Sequence, residues 1–358
     1  MKAALVSLGS KSSLMTLEAM KKYFTSVDNI QLRSMEVMVN GKELRILNNG
    51  QELPKYDCMY AKGSFRYGPL LRSITTAFYD TMYMPLKPNA YTLGHDKLLT
   101  HLAMQYNKVP MPDTYVVSGI EAAKKILGQI PYPIVLKFPQ GTQGKGVMFA
   151  DSFASASSVL DAMETLRMPF LIQEYVETDG SDIRAFVIGD KVVAGMKRKA
   201  IMGEKRANIH AGATGESVVL DDFTKKIAIK TAKSIGADIC AVDILESAKG
   251  PEVIEANVSP GLQGITAVTK IDVADKIASF LFEQAKEFKS KGQSKATDKL
   301  FSDLDIKTNN AMQEIISNVD IRGDRILLPK IVTAMAQLDD SHEVVIKAEK
   351  GKITIERI

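Results

Sequence analysis

One stretch of the chain, CAVDILESAKGPEVIEANVSPG (residues 240–261), limits the possible folds more than any other. Two mostly apolar segments, about 239–246 and 252–259, flank a short turn that contains Gly250. Two apolar runs joined by a glycine turn are typical of a β-hairpin. The sequence therefore predicts an antiparallel hairpin in the core of a sheet.

Charged and amide side chains interrupt this apolar hairpin. Successive residues of a strand point to opposite faces, so Glu255 and Asn257 lie on one face. A turn centred near Ala248 or Lys249 brings Asp243 opposite residue 254 or 255. Two carboxylates and an amide then meet, and burying them requires a compensating cation. Oxygen ligands of this kind suit Mg²⁺; the alternative is a two-sided hairpin with acids in solvent.

A second stretch, LKFPQGTQGKGV (residues 136–147), predicts a strand that runs into a glycine-rich loop without acidic residues. Glycines let backbone N–H groups approach an anion, and lysine supplies positive charge. The loop is not a Walker A motif, because GxxxxGK[ST] is absent. The alternative is a glycine-rich hairpin with solvated lysines. The residues suited to phosphate are Lys137, Gly141, Gly144, Lys145 and Gly146. A lysine-rich loop and an acidic Mg²⁺ patch together favour a nucleoside triphosphate.

Composition excludes several other classes of protein. The 358 residues carry a net charge of only +4, which gives no preference for nucleic acid or membranes. Cys58 and Cys240 lie far apart, without disulfide or metal-ligand spacing, which favours a reducing cytoplasm. The first residues are too short for a secretory core, and no apolar run is long enough to span a membrane. Four histidines without a metal or triad arrangement disfavour zinc hydrolysis and Ser–His chemistry.

Strand-like and helical stretches alternate at first, and mostly antiparallel strands follow over about 170–259, with a closing helix at about 267–289. A proline- and asparagine-rich segment places a boundary near Pro88. The polar stretch from 289 has little apolar periodicity and is typical of a linker. The predicted fold is α/β and α+β, with domains at 1–88 (N-terminal α/β), 89–288 (central), 289–317 (linker) and 318–358 (β-rich).

Seven motifs in order resemble those of RimK-type ATP-grasp ligases, over about 89–287. They are HDK (95–97), KFPQGTQGKGV (137–147), QEYV (173–176), SDIRAFVIGDKVVAGMKR (181–198), KRANIH (205–210), VDI (242–244) and IEANVSPGLQGI (254–265). The resemblance implies ATP held between two α+β lobes, after an N-terminal α/β domain that helps to bind substrate.

The resemblance also implies roles for individual residues. Lys97, Lys137 and the Gly141–Gly146 loop would contact the phosphates, and Asp182 would face the nucleotide. The strand that reads adenine and ribose would be Gln173, Glu174, Tyr175 and Val176. Two Mg²⁺ ions, for which Mn²⁺ can substitute, would be held by Asp243, Glu255 and Asn257. The transferring phosphate would lie beside Arg206 and Asn208. Arg184 and Arg198 would bind a substrate carboxylate, or serve only as surface charge.

The implied reaction makes an amide in two steps. A carboxylate attacks the γ-phosphate to give an acylphosphate and ADP, and an amine then displaces phosphate. The added amino acid is expected to be glutamate, and the acceptor is a small molecule or a protein. The alternatives are an ATP-sensing, DNA-binding regulator and a kinase that stops after phosphorylation. The sequence departs from the family pattern at His210–Ala213, which leaves the activated carboxylate open.

The last 40 residues resemble an AbrB-like swapped-hairpin module. The resemblance implies a homo-oligomer, and many such modules bind DNA. Residues 319–358 carry seven basic and seven acidic side chains. DNA binding needs a local excess of positive charge. We therefore predict dimerisation in preference to DNA binding, although Arg322, Arg325 and Lys330 can cluster on one face.

Overall fold

The computed structural model describes most of the chain: residues 1–117, 119–141, 146–165, 169–200, 214–303, 320–323, 325–328, 343–350 and 352–357. The chain forms two compact units, Met1–Ser294 and Lys295–Ile358. Both predicted domains before residue 289 fall within the first unit. None of the described helices combines the length and apolar character needed to cross a membrane.

The N-terminal region is built on a parallel sheet of order β2-β1-β6, in which β1 is central and buried at every position after Lys2. Helix α1 is capped by Ser10, whose hydroxyl accepts from the backbone N–H of Ser13. A smaller antiparallel sheet, β3-β4-β5, follows β2. The elements are β1 (Lys2–Ser7), α1 (Lys11–Met20), β2 (Ser26–Gln31), β3 (Met35–Val39), β4 (Leu44–Asn48), β5 (Gln51–Glu52), β6 (Cys58–Ala61) and α2 (Gly68–Phe78).

Two helices and a small lobe come next. Asp96 caps the second helix by accepting from the N–H of Leu99. The small lobe is an antiparallel sheet of order β7-β10-β8-β9 with two helices. The elements are α3 (Pro88–Leu93), α4 (Lys97–Tyr106), β7 (Thr114–Val116), α5 (Ile120–Leu127), β8 (Ile134–Lys137), β9 (Val147–Ala150), α6 (Phe153–Thr165) and β10 (Leu171–Glu174).

The large lobe is a five-stranded antiparallel sheet of order β13-β12-β11-β14-β15. This agrees with the mostly antiparallel strands that were predicted for about 170–259. Its elements are β11 (Ser181–Ile188), β12 (Lys191–Lys199), β13 (Thr214–Ser217), α7 (Asp222–Ser234), β14 (Ile239–Ser247), β15 (Gly250–Asn257), α8 (Gln263–Thr269) and α9 (Val273–Asp303).

Two separate hydrophobic cores stabilise the first unit. One core includes β1, β6, α3, β11 and β14, so the N-terminal region and the large lobe pack as one body. The other belongs to the small lobe alone, with Leu136, Leu160 and Ile172 fully buried. The small lobe is therefore stabilised independently of the rest.

The structure corrects two predicted elements. The closing helix predicted at 267–289 is two helices, because Lys270 adopts a left-handed conformation (φ 60°) that ends α8. The predicted linker starts too early, because α9 continues to Asp303. Lys, Gln and Ala have high helix propensity, so a helix forms there without an apolar stripe.

The second unit contains two antiparallel strand pairs, β16 (Asp320–Arg322) with β17 (Arg325–Leu327) and β18 (Val344–Glu349) with β19 (Lys352–Arg357). Both strand pairs lie within the segment 318–358, which was predicted to be β-rich. Residues 329–342, between the two pairs, lie outside the described residues.

Candidate active site

A cleft of about 650 Å³ gathers most of the predicted site residues. It lies where the small lobe, the large lobe and two loops of the N-terminal sheet meet. The predicted residues that line it are Lys97, Lys137, Gly141, Gln173, Glu174, Tyr175, Val176, Asp182, Arg184, Arg198, Asp243, Glu255 and Asn257.

The β14–β15 hairpin has the register that the sequence predicted. Asp243 pairs with Glu255, and Asn257 pairs with Ala241, so the three oxygen-bearing side chains lie at neighbouring positions. The pairing shifts between Asp243 and Ile244. Such a bulge adds one residue to one strand, and it moves the partner of Asp243 from residue 254 to Glu255.

Asp243 is almost completely buried and is bound by two arginines. The Arg184 guanidinium donates to both of its oxygens at 2.8 Å, and Arg198 lies 2.9 Å from Oδ2. Burial raises the pKa of Asp243, but the two guanidinium groups outweigh burial and lower it to about 2. The carboxylate therefore stays ionised at neutral pH.

Arg198 also binds Asp182, with Nε and a terminal nitrogen at 2.6 and 2.7 Å from the two carboxylate oxygens. Burial raises the pKa of Asp182, and the nearby arginine charge only partly offsets it. The arginines are thus not surface charge. In this structure they neutralise the acids of the large lobe.

The acidic patch fits a magnesium ion by its donor chemistry. Glu255 is half-buried, and the described residues give its carboxylate no hydrogen-bond partner. Asn257 accepts from the N–H of Ser259 at 3.0 Å and keeps a second lone pair on the same oxygen. Among the described residues, no three His, Cys, Asp or Glu side chains lie close enough together to hold a metal ion. The ligands available at this site are therefore two carboxylates and an amide, and Mg²⁺ usually completes such a set with water and phosphate oxygens.

Lys137 is held by a buried hydrogen-bond network on the small-lobe side. Its Nζ donates to Gln173 Oε1 at 2.5 Å, and Gln173 Nε2 contacts His101 Nε2 at 3.0 Å and Thr114 Oγ1 at 2.8 Å. His101 Nδ1 lies 2.6 Å from the Lys97 carbonyl oxygen, so Nδ1 carries the proton and Nε2 accepts. The Gln173 side chain therefore positions Lys137, while the backbone of β10 remains the predicted adenine edge.

Positively charged and negatively charged side chains lie on opposite sides of the cleft. Burial lowers the pKa of Lys137 to about 8, and the negative charge of Glu255 partly opposes that effect. Lys97 Nζ donates to the Gly141 carbonyl at 3.3 Å. The lysines and the acids thus border one cavity, which is the arrangement a polyphosphate needs.

The segment that joins the lobes is fixed at its ends by side chains. Glu174 pairs with Lys249 at 2.8 Å, which links β10 to the turn of the β14–β15 hairpin. Tyr175 packs edge-on against Phe149, with ring centroids 6.0 Å apart. These contacts hold the predicted nucleotide strand against the rim of the cleft.

One glycine of the loop has a steric reason to be glycine. Gly146 has a φ of 79°, and a Cβ there would lie 2.6 Å from Phe138. Its carbonyl accepts from the Phe138 N–H and closes the β8–β9 hairpin. Gly144, Lys145, Arg206, Asn208 and the 210–213 segment lie outside the described residues.

Sequence reasoning missed several residues of the cleft. His95 and His101 line it, and burial lowers the pKa of each to about 4. The N-terminal region contributes Ser10, Ser12 and Lys62 to the cleft. A signal was available for Lys62, because it directly follows a buried parallel strand, where ligands of α/β sheets bind.

A nucleotide-sized cleft between two lobes, with lysines facing carboxylates, defines an ATP-grasp enzyme. The RimK-like ATP-grasp domain family matches residues 94–281. The chain is 37% identical over 264 residues to the probable alpha-L-glutamate ligase 1 of Shewanella frigidimarina, covering 72% of this chain and 86% of that protein.

Solved structures share the fold at low identity. The RimK domain ATP-grasp protein from Sphaerobacter thermophilus has a TM-score of 0.61 at 19% identity, covering 78% of this chain and 99% of that one. The ATP-grasp ligase PsnB, complexed with a precursor variant, Mg and ADP, has a TM-score of 0.62 at 16% identity, covering 79% and 98%. The chain therefore belongs to the RimK-like ATP-grasp family, and it is an ATP-dependent carboxylate–amine ligase.

Proposed function

We propose that this ligase joins glutamate, through its amine, to a carboxylate of a small-molecule or protein acceptor. The relative from Shewanella frigidimarina, named a probable alpha-L-glutamate ligase, supports glutamate. The observation that carries the proposal is the cleft itself, in which Lys137 faces Glu255 beside the ionised Asp243. This arrangement suits a triphosphate next to a reacting carboxylate.

The proposed reaction balances in two steps. An acceptor carboxylate oxygen bonds to the γ-phosphorus and the bond to ADP breaks, which gives an acylphosphate. The glutamate amine then bonds to the acyl carbon, phosphate leaves, and the amine loses a proton. Lys97 and Lys137 bind phosphate oxygens and offset the charge that spreads over them during transfer. Closure of the cleft over the substrates would exclude water, the competing nucleophile.

Asp243, Glu255 and Asn257 are the proposed ligands of two Mg²⁺ ions, for which Mn²⁺ can substitute. Mg²⁺ bound there would supply positive charge at the phosphate oxygens. The PsnB complex with Mg and ADP supports magnesium use in this fold. Within the described part of the chain, Oδ1 of Asp243 accepts only from Arg184 and keeps a second lone pair for a metal ion, whereas Oδ2 accepts from both arginines. We retain Arg184 and Arg198 as the proposed substrate-carboxylate residues, and Arg206 and Asn208 as neighbours of the transferring phosphate.

The test of the proposed function is substrate-dependent release of ADP. Purified protein is given ATP, Mg²⁺, L-glutamate and either the small-molecule or the protein fraction of a cell extract, and mass spectrometry identifies the extract component that gains a glutamyl residue. Hydroxylamine added without glutamate should trap a hydroxamate from the acylphosphate. An ATP sensor would bind nucleotide without stoichiometric ADP release, and a kinase would yield a stable phosphoester and no hydroxamate.

The lowered pKa of Lys137 predicts a pH dependence for nucleotide binding. In the free protein the lysine loses its proton near pH 8, whereas bound phosphates favour the charged form and raise its pKa. Affinity for Mg–ADP should therefore be constant below pH 8 and fall by at most about tenfold per pH unit above it. Isothermal titration calorimetry between pH 7 and 10 measures this fall. Arginine stays charged throughout, so Lys137→Arg should flatten the profile, and an unchanged slope would contradict the assignment.

We propose that the C-terminal unit is an AbrB-like dimerisation module. Its strand pairs expose apolar side chains, including Ile321 (64%), Ile346 (63%) and Ile353 (53%). An isolated two-stranded sheet is only marginally stable, and exposed apolar surface favours association. A cytoplasmic location is also proposed, supported by two buried free cysteines.

Removing the C-terminal unit should lower the oligomeric state. A chain ending at Ser294 keeps both hydrophobic cores of the first unit. Light scattering after size exclusion should give a dimer or higher oligomer for the full chain and a monomer for the truncated one, with equal Mg–ADP affinity. Equal oligomeric states would contradict the proposal. A duplex-DNA mobility shift that needs the C-terminal unit would instead support the disfavoured DNA role.

A further inference from the structure

The end of the cleft formed by the N-terminal sheet has the position of a ligand site. Strand β1 lies between β2 and β6 and is parallel to both, so the loops after β1 and β6 leave neighbouring carboxyl ends of the sheet. In α/β sheets ligands bind outside the carboxyl ends of the strands. The loops after β1 and β6 contribute Leu8, Ser10 and residues 62–65 to the cleft wall.

Lys62 is a buried cation for which the described part of the chain supplies no counterion. Its side chain lines the cleft, the residue is only 4% exposed, and the described residues offer Nζ no hydrogen-bond partner. The Tyr60 ring, 5.5 Å from Nζ, gives a partial cation–π contact. Burial lowers the pKa of Lys62 to about 8, so the ammonium form predominates at pH 7. A buried charge of this kind is costly unless a ligand of opposite charge completes it.

The amino end of α1 borders the same place. Ser12 accepts from the N–H of Leu262 at 2.8 Å and donates to Gln263 Oε1 at 2.5 Å, which holds the first turn against the loop after β15. The free N–H groups and the dipole of a helix amino end favour anions. The residues 8–13, 62–65 and 259–265 that line this end of the cleft include no acidic side chain.

Hydrogen bonds connect this end of the cleft to the acidic patch. The Gly63 N–H donates to Ser259 Oγ at 3.0 Å, and the Ser259 N–H donates to Asn257 Oδ1 at 3.0 Å. One residue thus bridges the Lys62 loop and a proposed metal ligand. A substrate that reacts at the patch can reach Lys62 with a second group.

We propose that Lys62 and the amino end of α1 form an anion subsite that holds a non-reacting carboxylate of one of the two substrates. The inference rests on the proposed function for the position of the reacting carboxylate. One of the two substrates must therefore carry a carboxylate that does not react with ATP. That carboxylate comes either from the amine donor, as in glutamate, or from a dicarboxylic acceptor.

Direct binding tests the subsite without turnover. Calorimetry is run on the full chain saturated with Mg–ADP, with L-glutamate as the donor probe and glutarate as the amine-free acceptor probe. Lys62→Met removes the charge at similar size, and Lys191→Met makes the same change at an exposed site on the β11–β12 turn. A charge-assisted contact should cost about 10- to 100-fold in affinity when removed, and only for Lys62→Met.

The outcomes are distinct. Weaker L-glutamate binding by Lys62→Met assigns the subsite to the donor, and weaker glutarate binding alone assigns it to the acceptor. Wild-type protein that binds neither probe, or a variant that binds both as tightly as wild type, overturns the inference. Failure of the proposed function would appear instead as absent ADP release, which this measurement does not use.

Thermal unfolding of the ligand-free protein gives a second measurement. The folded-state pKa near 8 lies below the ordinary lysine value, so the penalty of the buried charge is fully present below pH 8 and is lost as pH rises toward 10.5. Lys62→Met should raise Tm by about 2–4 °C at pH 7 and by less at pH 10. A Tm at pH 7 equal to or below that of wild type would show that Lys62 has a partner within the protein and would overturn the inference.

Discussion

Replacing Glu255 with glutamine is expected to reduce turnover by about a thousandfold, equivalent to about 4 kcal/mol of transition-state stabilisation. Glutamine keeps the shape of the side chain but removes the negative charge opposite Asp243. The number of carboxylates among the proposed Mg²⁺ ligands then falls from two to one. The measurement is ADP release at saturating ATP, with Mg²⁺ varied.

The fold should survive this change. The described residues give the Glu255 carboxylate no hydrogen-bond partner, so unfolding free energy should change by less than about 0.5 kcal/mol. Glu246→Gln is the matched control, because Glu246 lies on the same hairpin and pairs with exposed Lys197. Full activity of Glu255→Gln would refute the metal assignment, whereas equal losses in both variants would indicate damage to the hairpin.

Replacing Lys137 with methionine should reduce kcat/KM for ATP by about 10²- to 10³-fold, the usual cost of removing one group that stabilises transferring charge. Lys137 is buried and its Nζ is aimed by Gln173, so the ammonium is already positioned when ATP enters. The measurement is the initial rate of ADP release over a range of ATP concentrations. A fall in kcat together with a rise in KM would place Lys137 at the transferring phosphate.

Lys125→Met provides the control for this variant. Lys125 lies on α5 of the same lobe and is exposed, so its replacement should leave the rate unchanged. Near-normal kcat/KM in Lys137→Met would contradict a phosphate role. His101 offers a further check, because His101→Phe removes one of the two acceptors of the Gln173 amide and should lower the rate less than loss of the lysine itself.

The sequence predicted the register of the β14–β15 hairpin well, because a short turn fixes which residues pair. Counting from the glycine turn paired Asp243 with residue 254 or 255, and the bulge after Asp243 selects Glu255. Strand alternation then placed Asn257 on the same face. Local rules of spacing were sufficient, since all three residues lie within one pair of adjacent strands.

Contacts between distant segments were outside the reach of those rules. The network from Lys137 through Gln173 to His101 joins two strands of the small lobe to α4, and a single sequence does not show which polar side chains meet. The pairing of Arg184 and Arg198 with buried acids is of the same kind. The extension of α9 to Asp303 was missed because helix propensity, not apolar periodicity, determines it.

The separate core of the small lobe has a mechanical consequence for the catalytic cycle. Lys137 is carried by a strand that packs on one core, and Asp243 and Glu255 are carried by a hairpin that packs on the other. A hinge between the two cores would therefore change the spacing of cation and acid without repacking either interior.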